Sequence, residues 1–348
     1  MKNFSVSSAV KMIAHLAPSL EGKTILASGT NGFLGRWLLR VVAELNHNIL
    51  ASPCKLIAID IEKPSDSEAN QIGDKENITY IKHDLTQKFL SLIESKVDYV
   101  IHMAGIASPV HYKEKPIRTI DVAIEGSRGL LEIARQQDAR YLFCSSSEVY
   151  STATIIPTPE TYIGALRSDT ERSCYDVSKL MGENLAWVFN KQYGVDTRVI
   201  RIFNSFGPGI RQDDYRILPK IATAILKNAS LKVYKTERLP SRTYCPTANT
   251  IAGLFHALLN GPTCEIYNIG IDTPELTVPQ LIERVQGVIS RDIPIEIVQA
   301  PSVYVDEPLR RCPDISKAKN ILGYDPQVTL DEGIKEFFDW ALEEYLTH

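Results

Sequence analysis

The sequence has no run of about 18 apolar residues, and that absence argues against a membrane-spanning helix. It also has little net charge, with a formal value of −4 at pH 7. This balance gives no reason to expect nucleic acid or an anionic membrane as a partner. The N-terminal segment lacks the pattern of a signal peptide. We therefore expect a cytoplasmic protein, in which any anionic ligand is bound by a local cluster of donors.

Metal-binding and disulfide patterns are also missing. No two cysteines form a C-x-x-C pair, and no cysteine and histidine cluster has zinc spacing. Six cysteines scattered through a long chain predict reduced thiols rather than a disulfide framework, and we expect no metal. The cysteines are Cys54, Cys144, Cys174, Cys245, Cys264 and Cys312.

What the sequence does have is an alternation of short apolar runs with helical segments over its first 200 residues. This rhythm predicts an α/β fold with a Rossmann-type, doubly wound parallel sheet. After Asn204 a turn cluster (FGPG) begins a part with more loop, which predicts a smaller C-terminal α/β substrate lobe. We expect a dinucleotide-binding domain over 1–204, with a helical extension over 1–20, and a substrate lobe over 205–348 that exchanges some segments with it. The predicted strands are 24–28, 55–60, 78–82, 97–103, 139–146 and 197–203, and the predicted helices are 33–45, 116–137 and 175–193.

A glycine-rich turn follows the first predicted strand and leads into a helix. Gly29 permits the tight turn, Gly32 lets a pyrophosphate approach the backbone at the helix N-terminus, and Gly35 allows close packing of helix on strand. Asp60 ends the next strand, where an acid accepts hydrogen bonds from the adenosine ribose and repels a 2′-phosphate. The pattern therefore favours NAD over NADP as the cofactor.

The strongest catalytic signal is the pair Tyr175 and Lys179, which lie four residues apart on one helical face. A lysine ammonium near a phenol, together with a positively charged nicotinamide, stabilises the phenolate. A phenolate can take the proton from a sugar hydroxyl while a hydride leaves the same carbon. A hydroxyl from Ser145, Ser146 or Ser147, at the end of the preceding strand, completes a Ser–Tyr–Lys set, and the family resemblance described next implies that it is Ser146.

These motifs resemble the extended short-chain dehydrogenase/reductases, the NAD-dependent epimerase/dehydratase family, and the resemblance runs from Lys23 to about Glu343. Within that family the sequence is most similar to the UDP-glucuronate decarboxylases. The stretches that carry the likeness are His102–Tyr112 (HMAGIASPVHY), Ser145–Tyr150 (SSSEVY), Arg172–Lys179 (RSCYDVSK), Arg201–Pro208 (RIFNSFGP) and Arg311–Ile315 (RCPDI).

The resemblance implies roles for individual residues. Arg311 is expected to bind the carboxylate of a nucleotide hexuronate, since arginine suits bidentate contacts, and Glu148 is its acidic partner near C5. Asp84 is expected to contact adenine. The other implied substrate contacts are Ser147, Asn204, Arg211 or Arg216, and Arg242. The full set of implied cofactor contacts is Gly29, Asn31, Gly32, Phe33, Leu34, Gly35, Asp60, Asp84, Leu85, Met103, Ala104, Gly105, Tyr175 and Lys179.

The resemblance leaves three other activities open. In a nucleotide-sugar 4,6-dehydratase, Glu148 would take the C5 proton, but a neutral C6 hydroxyl needs no guanidinium, so Arg311 favours decarboxylation. A 4-epimerase and a non-catalytic NAD-binding protein are the remaining alternatives. Departures from the group are Ala123, Ser146, Cys245-Pro246 and the longer substrate-facing loop 234–242. The resemblance also implies a homodimer, in which helices 116–137 and 175–193 pair with their copies.

Overall fold

Seven parallel strands form the central sheet of the computed structural model, which describes residues 4–214, 216–235, 239–299 and 308–346. The strand order is β11-β6-β5-β4-β1-β2-β3. Strands β2 and β3 are added on one side of β1, and the chain then crosses to add β4, β5 and β6 on the other side. Ligands of such sheets bind at the carboxyl ends of the strands beside this switch point. The strands are β1 Thr24–Ser28, β2 Lys55–Asp60, β3 Ile78–Lys82, β4 Tyr99–His102, β5 Arg140–Ser146, β6 Thr197–Ile202 and β11 Glu265–Ile269.

Ten α-helices lie within the described residues, and four of them cover the two faces of the sheet. Strands of a parallel sheet are buried on both faces, and successive side chains of β1 enter different cores: Ile25 and Ala27 pack with α2 and α8, whereas Leu26 packs with α5 and α6. The helices are α1 Ser7–Ile13, α2 Phe33–Asn48, α3 Asp66–Ile72, α4 Pro109–Glu114, α5 Pro116–Gln137, α6 Ser173–Tyr193, α7 Ile217–Leu226, α8 Thr247–Asn260, α9 Val278–Ile289 and α10 Leu330–Glu344.

The predicted Rossmann-type α/β fold is confirmed, and the differences concern the ends of elements. The fourth strand is shorter than predicted, because residues 97–98 precede its pairing with β1 and Met103 lies beyond it. Helix α6 begins two residues earlier than predicted, at Ser173. Helix α2 continues three residues further, to Asn48. Apolar periodicity fixes which segment is helical more sharply than where the helix ends.

The C-terminal part of the chain contributes to both halves of the molecule. Strand β11 pairs with β6 as the seventh strand of the main sheet, and α8 packs in the same core as α2. Helices α7, α9 and α10 enclose a second apolar core. Small sheets beside it contain β7 Ser205–Phe206, β8 Leu231–Lys235, β9 Ser241–Arg242, β10 Cys245–Pro246, β12 Leu276–Thr277, β13 Ile295–Gln299 and β14 Arg310–Arg311.

Strand β14 pairs in parallel with β9, which places Arg311 opposite Arg242. Residues 236–238 of the predicted substrate-facing loop lie outside the described residues. Among the helices that are described, none is long and apolar enough to cross a membrane.

Candidate active site

The glycine turn after β1 is built as its spacing predicts. Gly29 has a φ of +71°, and a Cβ there would lie 2.6 Å from the backbone nitrogen of Ala104. A Cβ on Gly35 would lie 2.3 Å from the carbonyl oxygen of Gly29. Because both distances are far below van der Waals contact, these positions require glycine, and the turn brings α2 close against β1 and the loop after β4.

The N-terminus of α2 opens beside this turn. Gly32, which has an extended backbone, is the N-cap residue immediately before α2. In the described part of the chain no side chain caps the helix. The first N–H groups of α2 therefore face outward as donors, and the helix dipole favours an anion there. Phe33 and Leu34 form the first turn, both partly buried against the core. This N-terminus fits a diphosphate.

Asp60 reaches the same turn from the end of β2. Its carboxylate accepts a hydrogen bond from the Asn31 backbone N–H at 2.8 Å. Burial raises the pKa of Asp60, against the opposing effect of the backbone hydrogen bond from Asn31. Nearby, Arg36 forms an ion pair with Glu68 at 3.1 Å, and both line a small cavity. The position suits a ribose hydroxyl pair next to Asp60.

Asp84, after β3, lies in a polar cluster of its own. It accepts hydrogen bonds from the backbone and hydroxyl of Thr86 and forms an ion pair with Arg118 at 2.7 Å. Burial acts to raise its pKa, but the hydrogen bonds from Arg118 and Thr86 outweigh burial and lower it to about 2. The next residue, Leu85, is buried in the core on the α5 side of the sheet.

The loop Met103-Ala104-Gly105 lies between the glycine turn and helix α6. At one end of the loop, the backbone of Ala104 packs against Gly29. At its other end, a Cβ on Gly105 would lie 3.3 Å from Lys179 Nζ. The loop therefore lies between the expected diphosphate site and the lysine.

Tyr175 and Lys179 are buried on α6, below the end of β5. Lys179 Nζ donates a hydrogen bond to the carbonyl oxygen of Cys144 at 2.8 Å and lies 5.9 Å from the centre of the Tyr175 ring. Burial lowers the pKa of Lys179 to about 8. Burial also raises the pKa of Tyr175 to about 12, although a hydrogen bond with Ser146 acts in the opposite direction. The three predicted catalytic groups are thus brought together.

Glu148 and Arg311 meet although 163 residues separate them. Arg311 Nη2 donates to Glu148 Oε2 at 2.9 Å, and Nη1 donates to the carbonyl oxygen of Ser151. Arg311 is almost fully buried, at 2% exposure, and its Nε has no hydrogen-bond partner among the described residues. A buried guanidinium with an unused donor is suited to an incoming acceptor.

A second arginine approaches Glu148 from the start of α6. Arg172 Nη2 donates to Glu148 Oε2, and Arg172 Nε donates to Asp176 Oδ2 at 3.5 Å. Burial would raise the pKa of Glu148, but the charges of Arg311 and Arg172 lower it to about 2. Burial and the charge of Glu148 instead raise the pKa of Asp176 to about 7.

Tyr112, on α4, covers one face of the Tyr175 ring. Its ring is stacked on that of Tyr175, with centroids 5.3 Å apart and planes inclined by 9°. Its hydroxyl is buried without a partner among the described residues. Neither Tyr112, Arg172 nor Asp176 was assigned a role from the sequence, although the four-residue spacing of Arg172 and Asp176 on a helix could have indicated their ion pair.

The predicted substrate contacts are distributed around this centre. Asn204 has a φ of +36° and a buried side-chain nitrogen with no partner among the described residues. Arg216 donates to the carbonyl oxygen of Ser205 at 3.0 Å, and its guanidinium lies 5.7 Å from the Phe33 ring centre. Arg216 therefore lies beside the first residue of α2, whereas Asn204 accepts a hydrogen bond from the Cys245 backbone N–H through its carbonyl oxygen.

The other three predicted substrate contacts differ in exposure. Ser147 is buried in the turn after β5. Arg242 donates to the carbonyl oxygen of Leu309 at 3.2 Å, and its charge acts on Glu148. Arg211 is paired with Asp213 on the surface, with 73% of its side chain exposed. Ser147 therefore lies next to Glu148 in the chain and Arg242 acts on it, whereas Arg211 lies at the surface.

The described residues hold no group of three or more His, Cys, Asp or Glu side chains that could bind a metal ion. All six cysteines lie in described ranges and form no disulfide.

Residues 25–270 match the model of the NAD dependent epimerase/dehydratase family. The chain belongs to this family. UDP-glucuronic acid decarboxylase 5 of Arabidopsis thaliana is 34% identical over 312 residues, which cover 89% of this chain and 86% of that protein. UDP-glucuronic acid decarboxylase 1 of Xenopus tropicalis is 30% identical, covering 93% of this chain and 73% of that protein. The family resemblance expected from the motifs is therefore confirmed.

Solved structures of the same fold include a dTDP-glucose 4,6-dehydratase from Streptomyces venezuelae with NAD and TYD bound. It has a TM-score of 0.80 and 22% identity, covering 93% of this chain and 98% of that one. NAD is the cofactor of the family, and the turn at Gly29–Gly35, the open N-terminus of α2 and the Asp60 carboxylate fit it. When bound, NAD supplies hydride uptake and return at a substrate carbon.

Proposed function

We propose that this enzyme decarboxylates a nucleotide hexuronate, such as UDP-glucuronate, after transient oxidation at C4. The observation that carries the proposal is Arg311: a buried guanidinium, tied to Glu148 beside Tyr175, with an Nε donor that has no partner among the described residues. The proposal is supported by the similarity to UDP-glucuronic acid decarboxylases over 89% of the chain. A carboxylate on C6 of the sugar is the ligand that this donor suits best.

In the proposed reaction Tyr175 takes the proton of the C4 hydroxyl. Lys179 and the hydroxyl of Ser146 favour the phenolate, by charge and by hydrogen bonding respectively. The product of C4 oxidation is a β-keto acid, in which the C4 ketone accepts the electron pair released when carbon dioxide leaves C5. The resulting enolate takes a proton from solvent at C5. Return to C4 of the hydride that was removed there, with a proton on the oxygen from Tyr175, then completes the cycle, so that no external oxidant or reductant is needed.

Glu148 acts in this scheme by holding Arg311. Two guanidinium groups keep it ionised, with a pKa of about 2. A carboxylate of so low a pKa is a poor base for a carbon-bound proton. A 4,6-dehydratase, the second candidate, would need Glu148 in that role, so the contacts of Glu148 favour decarboxylation.

For the rest of the substrate we propose that Asn204 and Arg216 contact the diphosphate, and that Ser147 and Arg242 contact the sugar. We propose that Arg211 contacts the nucleotide only after its ion pair with Asp213 breaks. Asp84 and Leu85 are proposed to contact adenine. These roles follow the family resemblance. The contact of Arg216 with Phe33 at the start of α2 and the unpartnered side-chain nitrogen of Asn204 among the described residues support the roles of those two residues. The division into a dinucleotide-binding domain and a substrate lobe is proposed at residue 204.

We further propose a cytoplasmic homodimer. Helices α5 and α6 pack against each other, and their outer surface exposes apolar side chains that a partner copy would cover. Trp187 is 53% exposed and Ile117 is 69% exposed. Leu180, Met181 and Tyr193 are exposed on α6 as well. Such a surface would form a four-helix bundle with its copy.

The proposed function is tested with purified protein, NAD and a panel of nucleotide sugars, read by mass spectrometry. Loss of carbon dioxide from UDP-glucuronate is expected, with no change to UDP-glucose. Loss of water from a neutral nucleotide hexose would instead establish a 4,6-dehydratase. Bound NADH without turnover of any panel member would overturn both.

A further inference from the structure

Two carboxylates share one guanidinium beside the catalytic tyrosine. Arg172 donates to Glu148 with Nη2 and to Asp176 with Nε. The three side chains, together with Arg311, form an ion cluster with two formal negative and two formal positive charges. Counted over these four described side chains alone, the formal charges cancel before a substrate carboxylate enters.

The two carboxylates are held very differently. Glu148 accepts hydrogen bonds from both Arg172 and Arg311. Asp176 has only the 3.5 Å contact to Arg172 Nε, and its Oδ1 is buried with no partner among the described residues. Asp176 is also more than nine-tenths buried, at 8% exposure. An ionised carboxylate in such surroundings is poorly compensated, whereas a protonated one needs fewer donors.

Within the described ranges, the titratable and charged groups around Asp176 come from four elements. Helix α4 supplies Tyr112, the turn after β5 supplies Glu148, and β14 supplies Arg311. Its own helix and the residue before it supply Arg172, Cys174 and Tyr175. Of these groups only Arg172 and Arg311 are cations, so among the residues that the structure describes they are the groups whose charge favours the ionised form of Asp176.

We propose that a nucleotide hexuronate binds together with one proton, and that Asp176 holds this proton while the substrate carboxylate is bound. The inference rests on the proposed function, because it needs a carboxylate at Arg311. That carboxylate would cancel the charge of Arg311, which is one of the two cations that keep Asp176 ionised. The proton comes from solvent and leaves again with the product. Asp176 acts on substrate binding through Arg172 and Arg311, and it is therefore a positioning residue.

The proton goes to Asp176 and not to Glu148 because of their hydrogen bonds. Protonating Glu148 would weaken two charge-assisted contacts, whereas the unpartnered Oδ1 of Asp176 can take a proton without losing one. The raised pKa of Asp176, about 7, agrees with this order. At pH values above about 7 the free enzyme has lost the proton that the complex retains. Affinity for the hexuronate should then fall by up to about tenfold per pH unit.

The test is calorimetric binding to the NAD-loaded enzyme at about pH 7.5, in buffers of different ionisation enthalpy, which counts protons taken up. The ligands are UDP-4-deoxy-4-fluoro-glucuronic acid, which cannot be oxidised at C4, and the matching fluorinated UDP-glucose, which lacks only the carboxylate. We expect uptake of roughly half to one proton with the hexuronate and none with the neutral sugar.

The deciding variant is Asp176→Asn, which removes the titrating group and keeps its shape. We expect it to bind the hexuronate without proton uptake and with an affinity independent of pH between about 6.5 and 8.5. The control is Asp169→Asn, at an exposed aspartate paired with Arg167, which should keep wild-type uptake. Unchanged uptake in Asp176→Asn, or no uptake in the wild type, overturns the inference.

Failure of the inference and failure of the proposed function are separable. Decarboxylation of UDP-glucuronate without proton uptake on analogue binding removes only the inference. Proton uptake on analogue binding without any decarboxylation supports the inference and removes the proposed reaction.

Discussion

The ring of Tyr112 lies flat against the ring of Tyr175, with 5.3 Å between the ring centroids and 9° between the planes. Tyr112 belongs to α4 and Tyr175 to the first turn of α6, so this contact packs the two helices together at the Tyr175 side chain. Both rings are buried. The stack limits the directions in which the Tyr175 hydroxyl can point, and productive proton transfer depends on that direction.

This contact predicts that Tyr112→Phe and Tyr112→Leu differ. Phenylalanine keeps the stacked ring and removes a hydroxyl that has no partner in the described structure, so kcat should change by less than about threefold. Leucine loses the aromatic contact, worth about 0.5–1.5 kcal/mol, and leaves Tyr175 loosely held. We expect kcat for Tyr112→Leu to fall at least about tenfold with KM little changed. Equal kcat values for the two variants would exclude the positioning role.

Arg311 can be compared directly with its neighbour on β14. Arg311→Lys keeps the charge but loses the planar fork, and kcat/KM for UDP-glucuronate should fall by about 100-fold, corresponding to about 3 kcal/mol. Arg310→Lys, on an exposed arginine paired with Glu275, should stay within about twofold of wild type. The affinity of Arg311→Lys for UDP-glucose should be nearly unchanged. An equal loss with both sugars would mean that Arg311 supports the fold and not the carboxylate.

Much of the fold and of the cofactor site follows from local sequence. The glycine turn, Asp60 and the strands are short-range patterns whose physical causes lie within a few residues, and Tyr175 and Lys179 are recognisable by their helical spacing. The pairing of Glu148 with Arg311 could be suggested only by family resemblance, because 163 residues separate the partners. The addition of β11 to the main sheet has the same long-range origin.

The environment of Asp176 could not be predicted. Its burial and its unpartnered oxygen depend on how α4, α6 and β14 pack, and no local pattern in the sequence records this packing. Arg172 was part of a recognised stretch, RSCYDVSK, but sequence alone did not show that it contacts two carboxylates. Side chains that act through a shared partner are visible only once the tertiary contacts are known.

The glycine turn gives a matched test of packing. In Gly35→Ala the new Cβ would lie 2.3 Å from the Gly29 carbonyl oxygen, which α2 can relieve only by moving away from β1. We expect a loss of about 3 kcal/mol in the free energy of unfolding and of measurable NAD binding. Gly287→Ala, at an exposed position of α9 with nothing within 4 Å of the new atom, should instead stabilise the protein by about 0.5 kcal/mol. Chemical unfolding and NAD titration distinguish the two.

The proposed dimer predicts the effect of a charge on the outer face of α6. Trp187→Glu should leave the free energy of unfolding of the monomer nearly unchanged, because the side chain is half exposed, but should place two like charges in the four-helix bundle. Sedimentation should show a dimer for the wild type at micromolar concentration and a monomer for the variant. The control is Lys335→Glu, at an exposed lysine of α10 outside the proposed bundle, which should leave the dimer intact. A wild-type monomer, or a dimer that tolerates Trp187→Glu, contradicts this interface.

The stability of Asp176→Asn should depend on pH with a defined sign. Burial and the charge of Glu148 raise the pKa of Asp176 to about 7, whereas an unfolded aspartate titrates near about 4. Between about pH 4 and pH 7 the folded state holds a proton on Asp176 that the unfolded state lacks. The contribution of Asp176 to the free energy of unfolding therefore falls as pH rises through this window, and it is fully lost above about pH 7.

The variant has no such titration. Relative to wild type, Asp176→Asn should therefore be unchanged in stability near about pH 4 and more stable by up to about 4 kcal/mol near about pH 8. Urea unfolding at several pH values gives the difference directly. Asp169→Asn, whose exposed carboxylate is ionised in both the folded and the unfolded state above about pH 5, should show a difference that does not vary between about pH 5 and about pH 8. A flat difference for Asp176→Asn as well would mean that Asp176 is ionised throughout, and that the Arg172 contact compensates its burial fully.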